Sequence, residues 1–197
     1  MDSVSEFFSY ICGQARCFDA EGRALPVCQR CLGLYTAALV TGVWLAASGI
    51  WRRGLPARRV FLSHVVMLVA AILGGLKVVD LGATWRVLCG LWTGHVALLW
   101  LVGGVVHLRS LRNCEHGPQY GWRRRDEIQG FVFALLCVVL AFALERAMPL
   151  GWRVWAGVAV AGAVILLTAS VASLAALAFW SAAGCLALVR RAVRSVR

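Results

Sequence analysis

Long uninterrupted apolar runs dominate the chain. A membrane-spanning helix needs about 20 mostly apolar residues, and five runs meet or approach that requirement. They cover residues 32–50, 60–79, 87–106, 128–144 and 154–189. The pattern predicts an all-α fold, namely a polytopic transmembrane helical bundle of about five spans with a short Cys-rich N-terminal cap.

The final run, residues 154–189, is far longer than one crossing requires. A single crossing gives five spans and places the basic C-terminal tail on the same side as the other basic loops. A tight hairpin near residues 170–173 would instead give six spans and leave the tail on the opposite side. The charge pattern favours five spans.

Composition supports a membrane protein and excludes a soluble domain. Hydrophobic residues make up 61% of the 197 residues and charged residues only 15%, against roughly a quarter in typical soluble domains. The formal net charge is +11, but the arginines form short clusters between apolar runs. Such clusters contact anionic lipid headgroups and set orientation, so we expect membrane lipids as partners and no nucleic acid.

Arginines also predict the orientation of the chain. Cytoplasmic loops carry the excess of basic residues, and the loops after spans one and three are the basic ones. We therefore expect a multi-pass protein of the inner (plasma) membrane with an extracytoplasmic N-terminus and a cytoplasmic C-terminus. We expect no cleavable signal sequence in the head, because it lacks an apolar core flanked by a small-residue cleavage site, and we expect the first span to direct its own insertion. Arginines in the head leave the opposite orientation open: Arg16, Arg23 and Arg30.

Four regions follow from this pattern. Residues 1–31 form a Cys-rich N-terminal head, and residues 32–106 form a three-helix membrane core. Residues 107–127 form a basic cytoplasmic loop. Residues 128–197 hold two further apolar helical segments and the basic C-terminal tail.

Half of the eight cysteines lie in the head, with the spacing C-x4-C-x10-C-x2-C: Cys12, Cys17, Cys28 and Cys31. Cysteines inside the spans are expected to pack as small hydrophobes. The two-residue gap of the last pair lets both sulfurs reach one metal ion or form a small-loop disulfide. Nearby guanidinium groups and a helix N-terminus are expected to favour the thiolate.

The stretches "YICGQARCF" and "LPVCQRCLGLYTA" resemble an uncharacterised family of small prokaryotic integral membrane proteins, a domain of unknown function. Its motifs read C-H-Q-x-P-x-R-S-F and then P-[VL]-C-A-R-C-x-G-[IL]-Y, followed by a lone Asp and an L-R-x-x-T-G-x-x-x-G helix. The matching residues are Cys12, Gln14, Arg16, Phe18, Pro26, Cys28, Arg30, Cys31, Gly33, Tyr35, Asp80, Arg86, Gly90 and Gly94.

The resemblance covers roughly the first 105 residues and has two departures. Gly13 stands where the family has His, and Cys17 stands where it has Ser. If that His were a metal ligand, Cys17 could replace it as a sulfur donor. The family brings no settled activity, so the resemblance implies a bacterial membrane protein and a site but no reaction.

The predicted topology brings polar residues together at the outer face, beside the head and the start of span one. Lys77 and Asp80 are i, i+3 neighbours at the end of span two, and Arg86 begins span three. Ionisable groups at membrane depth are costly and often functional. Alternatively, these side chains extend to the membrane–water interface, where Asp80 only neutralises the charge of Lys77 or Arg86.

A metal–thiolate site is the leading hypothesis. Cys12, Cys28 and Cys31 would bind Zn²⁺ or Cu⁺, with Cys17 or Asp80 as a fourth ligand. The bound ion could have a structural role, or the protein could transport or sense it.

Other interpretations of the same residues remain open. Thiol–disulfide exchange would use the C-x-x-C pair with Cys12 and Cys17 as partner pair, and an inert disulfide fits the same cysteines. A lipid- or anion-handling site would use the guanidinium groups of Arg16, Arg30 and Arg86. The sequence leaves enzymatic activity undecided, as it does a homo-oligomer or a partner subunit.

Overall fold

The computed structural model describes residues 16–76, 78–79, 81–112, 122–147 and 151–195, together with Glu6, Phe8 and Cys12. A β-hairpin is followed by five long helices, with a short 3-10 turn between the first and the second. The strands are β1 (Cys17–Ala20) and β2 (Arg23–Cys28). The helices are α1 (Gln29–Ser48), α2 (Arg58–Gly75), α3 (Ala83–Arg112), α4 (Arg124–Arg146) and α5 (Trp152–Ser195), with the 3-10 turn at Ile50–Arg53.

The prediction of a membrane helical bundle is confirmed, and each apolar run corresponds to one helix. Within the described residues, four helices are long and apolar enough to cross a bilayer: Gln29–Ser48, Ala83–His107, Arg124–Leu144 and Trp152–Phe179. The remaining predicted span, residues 60–79, corresponds to α2, which has 18 residues. At 1.5 Å per residue, α2 is about 27 Å long, close to the hydrocarbon thickness of about 30 Å.

Helix α5 is continuous over 44 residues. The hairpin near residues 170–173 that a six-span fold requires is therefore not formed. A helix of this length extends about 66 Å, roughly twice the thickness of the hydrocarbon core. Its end, which carries the basic tail, projects beyond the apolar segment on the side opposite to the head.

Helix α3 is the centre of the bundle and contacts all four other helices. It approaches α1 so closely that a Cβ on Gly90 would overlap the carbonyl oxygen of Arg30, and one on Gly94 would overlap that of Leu34. From the other side, a Cβ on Gly33 would overlap the carbonyl oxygen of Val87. The two backbones are thus in direct contact, the arrangement that small residues permit between membrane helices.

The helix faces that point away from this centre are apolar. Large aliphatic side chains remain exposed on the outer helices, including Val66 on α2 (68%), Leu135 on α4 (66%) and Leu174 on α5 (66%). An apolar surface of this extent is unfavourable in water. It is the surface expected of helices that contact lipid.

The hairpin in the head was not predicted from the sequence. Its two-residue turn consists of Glu21 (φ +58°) and Gly22 (φ +72°), and positive φ at both positions is characteristic of the type I′ turn that joins tightly paired strands. The strands pair Ala20 with Arg23 and Asp19 with Ala24. The all-α description therefore holds for the membrane bundle, while the head contains a small antiparallel sheet.

The start of α5 holds the tip of the hairpin. The Trp152 indole Nε1–H donates to the carbonyl oxygen of Ala24 at 3.0 Å, and its backbone N–H donates to Glu21 Oε2 at 3.4 Å. The Arg23 guanidinium lies over the Trp152 ring, 5.0 Å from its centroid. A segment far along the chain thus fixes the head against the bundle.

Basic residues meet at the end of the bundle opposite to the head. Arg53, in the turn after α1, forms an ion pair with the buried Asp126 in the first turn of α4. The same carboxylate accepts the backbone N–H of Arg123 at 2.7 Å and so caps the helix. Arg53 and Arg123, which belong to the two basic segments, thus lie at one end of the bundle, and the side of the membrane that this end faces remains a prediction.

The α1–α3 contact yields a test with a matched control in one helix. Gly90→Ala places a methyl group against the α1 backbone and should lower the free energy of unfolding by about 1–3 kcal/mol, the usual cost of overpacking. Gly104→Ala should leave it unchanged or raise it by up to about 1 kcal/mol, the gain in helix propensity of Ala over Gly, because no atom other than the nearby backbone of its own helix lies within 4 Å of the new methyl group. Thermal unfolding in mild detergent measures both; equal effects would contradict the close contact.

Candidate functional site

Three of the four head cysteines converge. The Sγ atoms of Cys12, Cys28 and Cys31 all lie within 4.8 Å of one another. In a tetrahedral zinc site with Zn–S bonds of about 2.3 Å, neighbouring sulfurs are about 3.8 Å apart. The cluster can therefore surround a single ion after a small contraction.

Two different local structures bring these thiols together. Cys28 ends β2 and is the N-cap residue of α1, so Cys31 follows in the first helical turn. Cys12 reaches them from the N-terminal segment, where its N–H donates to the Phe8 carbonyl oxygen at 2.8 Å. Phe8 is fully buried and its ring contacts that of Tyr35, with centroids 5.5 Å apart. Burial of this ring on α1 fixes the position of Cys12.

Cys28 has the most acidic thiol of the head. A hydrogen bond from the Cys31 thiol lowers the pKa of Cys28 to about 5, and the backbone N–H of Cys31, the Cys12 thiol and the backbone N–H of Arg30 act in the same direction. Burial opposes these effects but does not cancel them. Neighbouring thiols and the first amides of α1, rather than guanidinium groups, thus stabilise the thiolate.

For the other two thiols of the head outside the membrane helices, the net change of pKa is in the opposite direction, and burial is its main cause. Burial raises the pKa of Cys12, and the hydrogen bond with the Cys28 side chain adds to this. It also raises the pKa of Cys17, where the negative charges of Cys12 and Cys28 contribute. The cluster therefore holds one thiolate readily and resists a second until a cation is present.

Cys17 is not part of the three-sulfur cluster. It lies in β1, where it is paired with Cys28 across the hairpin. The six cysteines whose side chains the structure describes carry free thiols, including Cys89 and Cys137 within the bundle. The predicted role of Cys17 as a fourth ligand stays a prediction.

The predicted arginines surround the cluster but are engaged with protein acceptors. The Arg30 guanidinium donates to the carbonyl oxygen of Gly74 at the end of α2. The Arg86 guanidinium donates to Gln29 Oε1 at 2.9 Å. Arg16 is exposed beside the hairpin. Arg30 and Arg86 thus tie α1 to α2 and α3, and an anion would have to compete with these acceptors.

Tyr35 is a predicted polar residue that lies close to the thiols in the membrane core. It follows Cys31 by one helical turn and is buried. Its phenol interacts electrostatically with Cys31, Cys12 and Cys28. The predicted site residues Gln14, Lys77 and Asp80 lie outside the described residues.

A second polar cluster, which was not predicted from the sequence, lies within the bundle. His64 and His95 are buried, with ring centroids 5.6 Å apart. Thr41 Oγ1 is 3.0 Å from His95 Nδ1, and the Trp100 indole N–H donates to His64 Nδ1 at 3.2 Å. Since an indole nitrogen can only donate, this contact fixes neutral His64 as the Nε2–H tautomer.

The membrane family suggested by the head motifs is also found by comparison with known families. Residues 12–100 match the family model described as "Predicted membrane protein (DUF2085)". The chain is thus similar to an uncharacterised membrane family over the hairpin, α1, α2 and most of α3. No curated protein and no solved structure matches the chain significantly.

The matched region contains the residues that make the site and the close helix contact. Cys12, Cys28 and Cys31 lie within it, as do Gly33 and the glycines of α3 that touch α1. Helices α4 and α5 lie beyond residue 100. The sulfur cluster is therefore assembled from the matched region alone, while α5 supports it from outside.

The acidity of Cys28 can be tested by its alkylation rate in the metal-free protein. With a pKa of about 5, the thiolate predominates at pH 6, so the rate should stay level from pH 8 to 6 and fall below pH 5. Cys31→Ala removes the principal hydrogen-bond donor, raises the pKa of Cys28 and should slow alkylation at pH 6 about tenfold or more. Peptide mass mapping with a small reagent reports the rate; an unchanged profile would refute the assignment.

Thr41→Val tests the buried histidine cluster. The substitution preserves shape but removes the only described partner of His95 Nδ1, and an unpaired buried polar group costs about 1–3 kcal/mol. Thermal unfolding should show a loss of that size. Thr168→Val is the control, because that hydroxyl is exposed and bonds only to the carbonyl oxygen of Val164 in its own helix; an equal loss there would contradict the role of Thr41.

Proposed function

We propose that this integral membrane protein binds a soft or borderline metal ion, Zn²⁺ or Cu⁺, through Cys12, Cys28 and Cys31. The observation that carries the proposal is the mutual approach of the three sulfurs to within 4.8 Å. Thiolates favour these ions over hard cations such as Mg²⁺ or Ca²⁺. No other group of three or more potential ligands is found among the described residues.

The electrostatics of the cluster suit a cation. Three thiols are packed at a helix N-terminus, yet the pKa of Cys12 is raised and only that of Cys28 is clearly lowered. Without a cation, the like charges of several thiolates would repel one another in a partly buried site. A bound ion removes this repulsion and displaces the remaining protons, as metal binding to thiols requires.

The three ligands found among the described residues favour an exchangeable ion over a purely structural one. Structural zinc sites are usually closed by four protein ligands, whereas three leave a position open. An open position lets a donor or acceptor ligand enter, so transport or sensing fits the cluster better than a permanent cross-link. We place the cluster on the extracytoplasmic side, because the basic loops lie at the opposite end of the bundle.

A membrane thiol–disulfide oxidoreductase is the second candidate, favoured by the asymmetry of the C-x-x-C pair. Cys28 is the N-cap thiol with a pKa of about 5, and Cys31 follows in the first turn of α1. An acidic first thiol at a helix N-terminus is typical of reactive C-x-x-C motifs. Under this hypothesis the reduced protein would hold no metal and would exchange disulfides through Cys28.

Elemental analysis of the reduced full chain in mild detergent tests the metal site. We expect about one Zn or Cu per chain in the wild type and its loss in Cys28→Ser, because two sulfurs alone bind much more weakly. Cys89→Ser is the matched control, since that thiol lies in α3 outside the sulfur cluster and donates to the carbonyl oxygen of Ala70 at 4.0 Å.

The control should retain the wild-type metal content. Metal-free wild-type protein after reconstitution with zinc and with copper(I) would overturn the proposal. Rapid disulfide exchange by that metal-free protein would support the oxidoreductase.

A further inference from the structure

Cys17 and Cys28 face each other across the hairpin in a defined register. Their Cα atoms are partners in the β1–β2 ladder, at the end of the hairpin beyond a register shift between Cys17 and Asp19. The Gln29 N–H donates to the Arg16 carbonyl oxygen at 3.1 Å, while the Cys28 N–H donates to Cys12 Sγ at 3.2 Å instead of to β1. These bonds identify Cys17 and Cys28 as a non-hydrogen-bonded cross-strand pair, the type with the shorter Cα separation of about 4.5 Å.

That separation suits a disulfide. Bridged cysteines have Cα atoms about 4.4–6.8 Å apart, and side chains of a directly opposed pair lie on the same face of a sheet. The Cys17 thiol is partly exposed, outside the metal-binding cluster and electrostatically coupled to Cys28.

We propose that Cys17 is the disulfide partner of Cys28, and that the Cys17–Cys28 bond and a bound metal ion are alternative states of one site. The metal-competition half of this proposal rests on the proposed function, whereas the pairing itself rests on the strand register. Closing the bond removes Cys28 from the cluster and leaves only Cys12 and Cys31 as sulfur ligands. The head would then bind metal when reduced and release it when oxidised.

The oxidant is a disulfide, either of a small molecule or of another protein. The Cys28 thiolate attacks one sulfur of R–S–S–R, which forms a Cys28–S–S–R bond and releases RS⁻. The Cys17 thiolate then attacks the Cys28 sulfur and expels the second RS⁻. Two cysteine thiols are oxidised, one external disulfide is reduced to two thiols, and the two cysteine protons end on the released thiolates.

Tryptic mapping can identify the bond because arginines separate all four head cysteines. Cleavage after Arg16, Arg23 and Arg30 places Cys17 in peptide 17–23, Cys28 in 24–30 and Cys31 in a peptide that begins at residue 31. The full chain in detergent is stripped of metal, incubated with oxidised glutathione, alkylated and digested. We expect peptide 17–23 to be linked to peptide 24–30.

Three protein samples make the test decisive. Cys17→Ser should lose the linked pair yet bind metal within about twofold of the wild type when reduced. Cys89→Ser should keep both properties. Wild-type protein loaded with one equivalent of zinc should form the linked pair at least about tenfold more slowly than the metal-free protein.

Other linkages would overturn the pairing: a bond from peptide 24–30 to the peptide of Cys31 or of Cys12, or a Cys17 that remains fully alkylated. Loss of metal from Cys17→Ser would show that Cys17 is a ligand, which overturns this inference but supports the metal site. Wild-type protein that takes up neither zinc nor copper(I) on reconstitution, yet links peptides 17–23 and 24–30 on oxidation, would overturn the metal site and the competition and leave the pairing intact.

Discussion

The direct backbone contact between α1 and α3 is the constraint on which the rest of the structure depends. It requires glycine at Gly33, Gly90 and Gly94, because a side chain at any of them would meet a carbonyl oxygen of the facing helix. Between membrane helices, where lipid is as apolar as the side chains, close van der Waals packing replaces the hydrophobic effect as a source of stability. The contact also places the N-terminus of α1, with its two cysteines, beside the N-terminus of α3.

Described polar groups at this end of the bundle form hydrogen bonds with one another across helices. Arg30 donates to the end of α2 and Arg86 to the start of α1, so two guanidinium groups join three helices where their backbones begin or end. The thiols are stabilised in the same way, since Cys28 accepts hydrogen bonds from neighbouring cysteines. The site is therefore an integral part of helix packing, which explains why cysteine, arginine and glycine occur together in one short motif.

Much of the fold could be predicted from the sequence because bilayer thickness fixes the length of a span. The helices, the single crossing of α5 and the proximity of Cys12 to the C-x-x-C pair followed from run length, charge and clustering. The hairpin could not be predicted in this way, because two short strands produce a weak pattern. The stretch "AEGR", with glycine at the second turn position, was nevertheless a usable signal. The hydrogen-bond acceptors of Arg30 and Arg86 could not be predicted either, because they depend on how the helices pack.

The histidine cluster shows a further limit of sequence reasoning. His64 and His95 lie on different helices, 31 positions apart, and neither belongs to a recognisable motif. The structure brings them together through the packing of α2 on α3. The sequence signal that could have indicated a shared environment was the presence of one ionisable residue inside each of two apolar spans.

The contacts between Trp152 and the hairpin give the C-terminal half of the chain a role in holding the head against the bundle. Helix α5 touches the head at its first residue, and further along, the α1 backbone at Tyr35 meets Gly162. A continuous helix resists bending, so these two contacts together fix the direction in which the rest of α5 leaves the head.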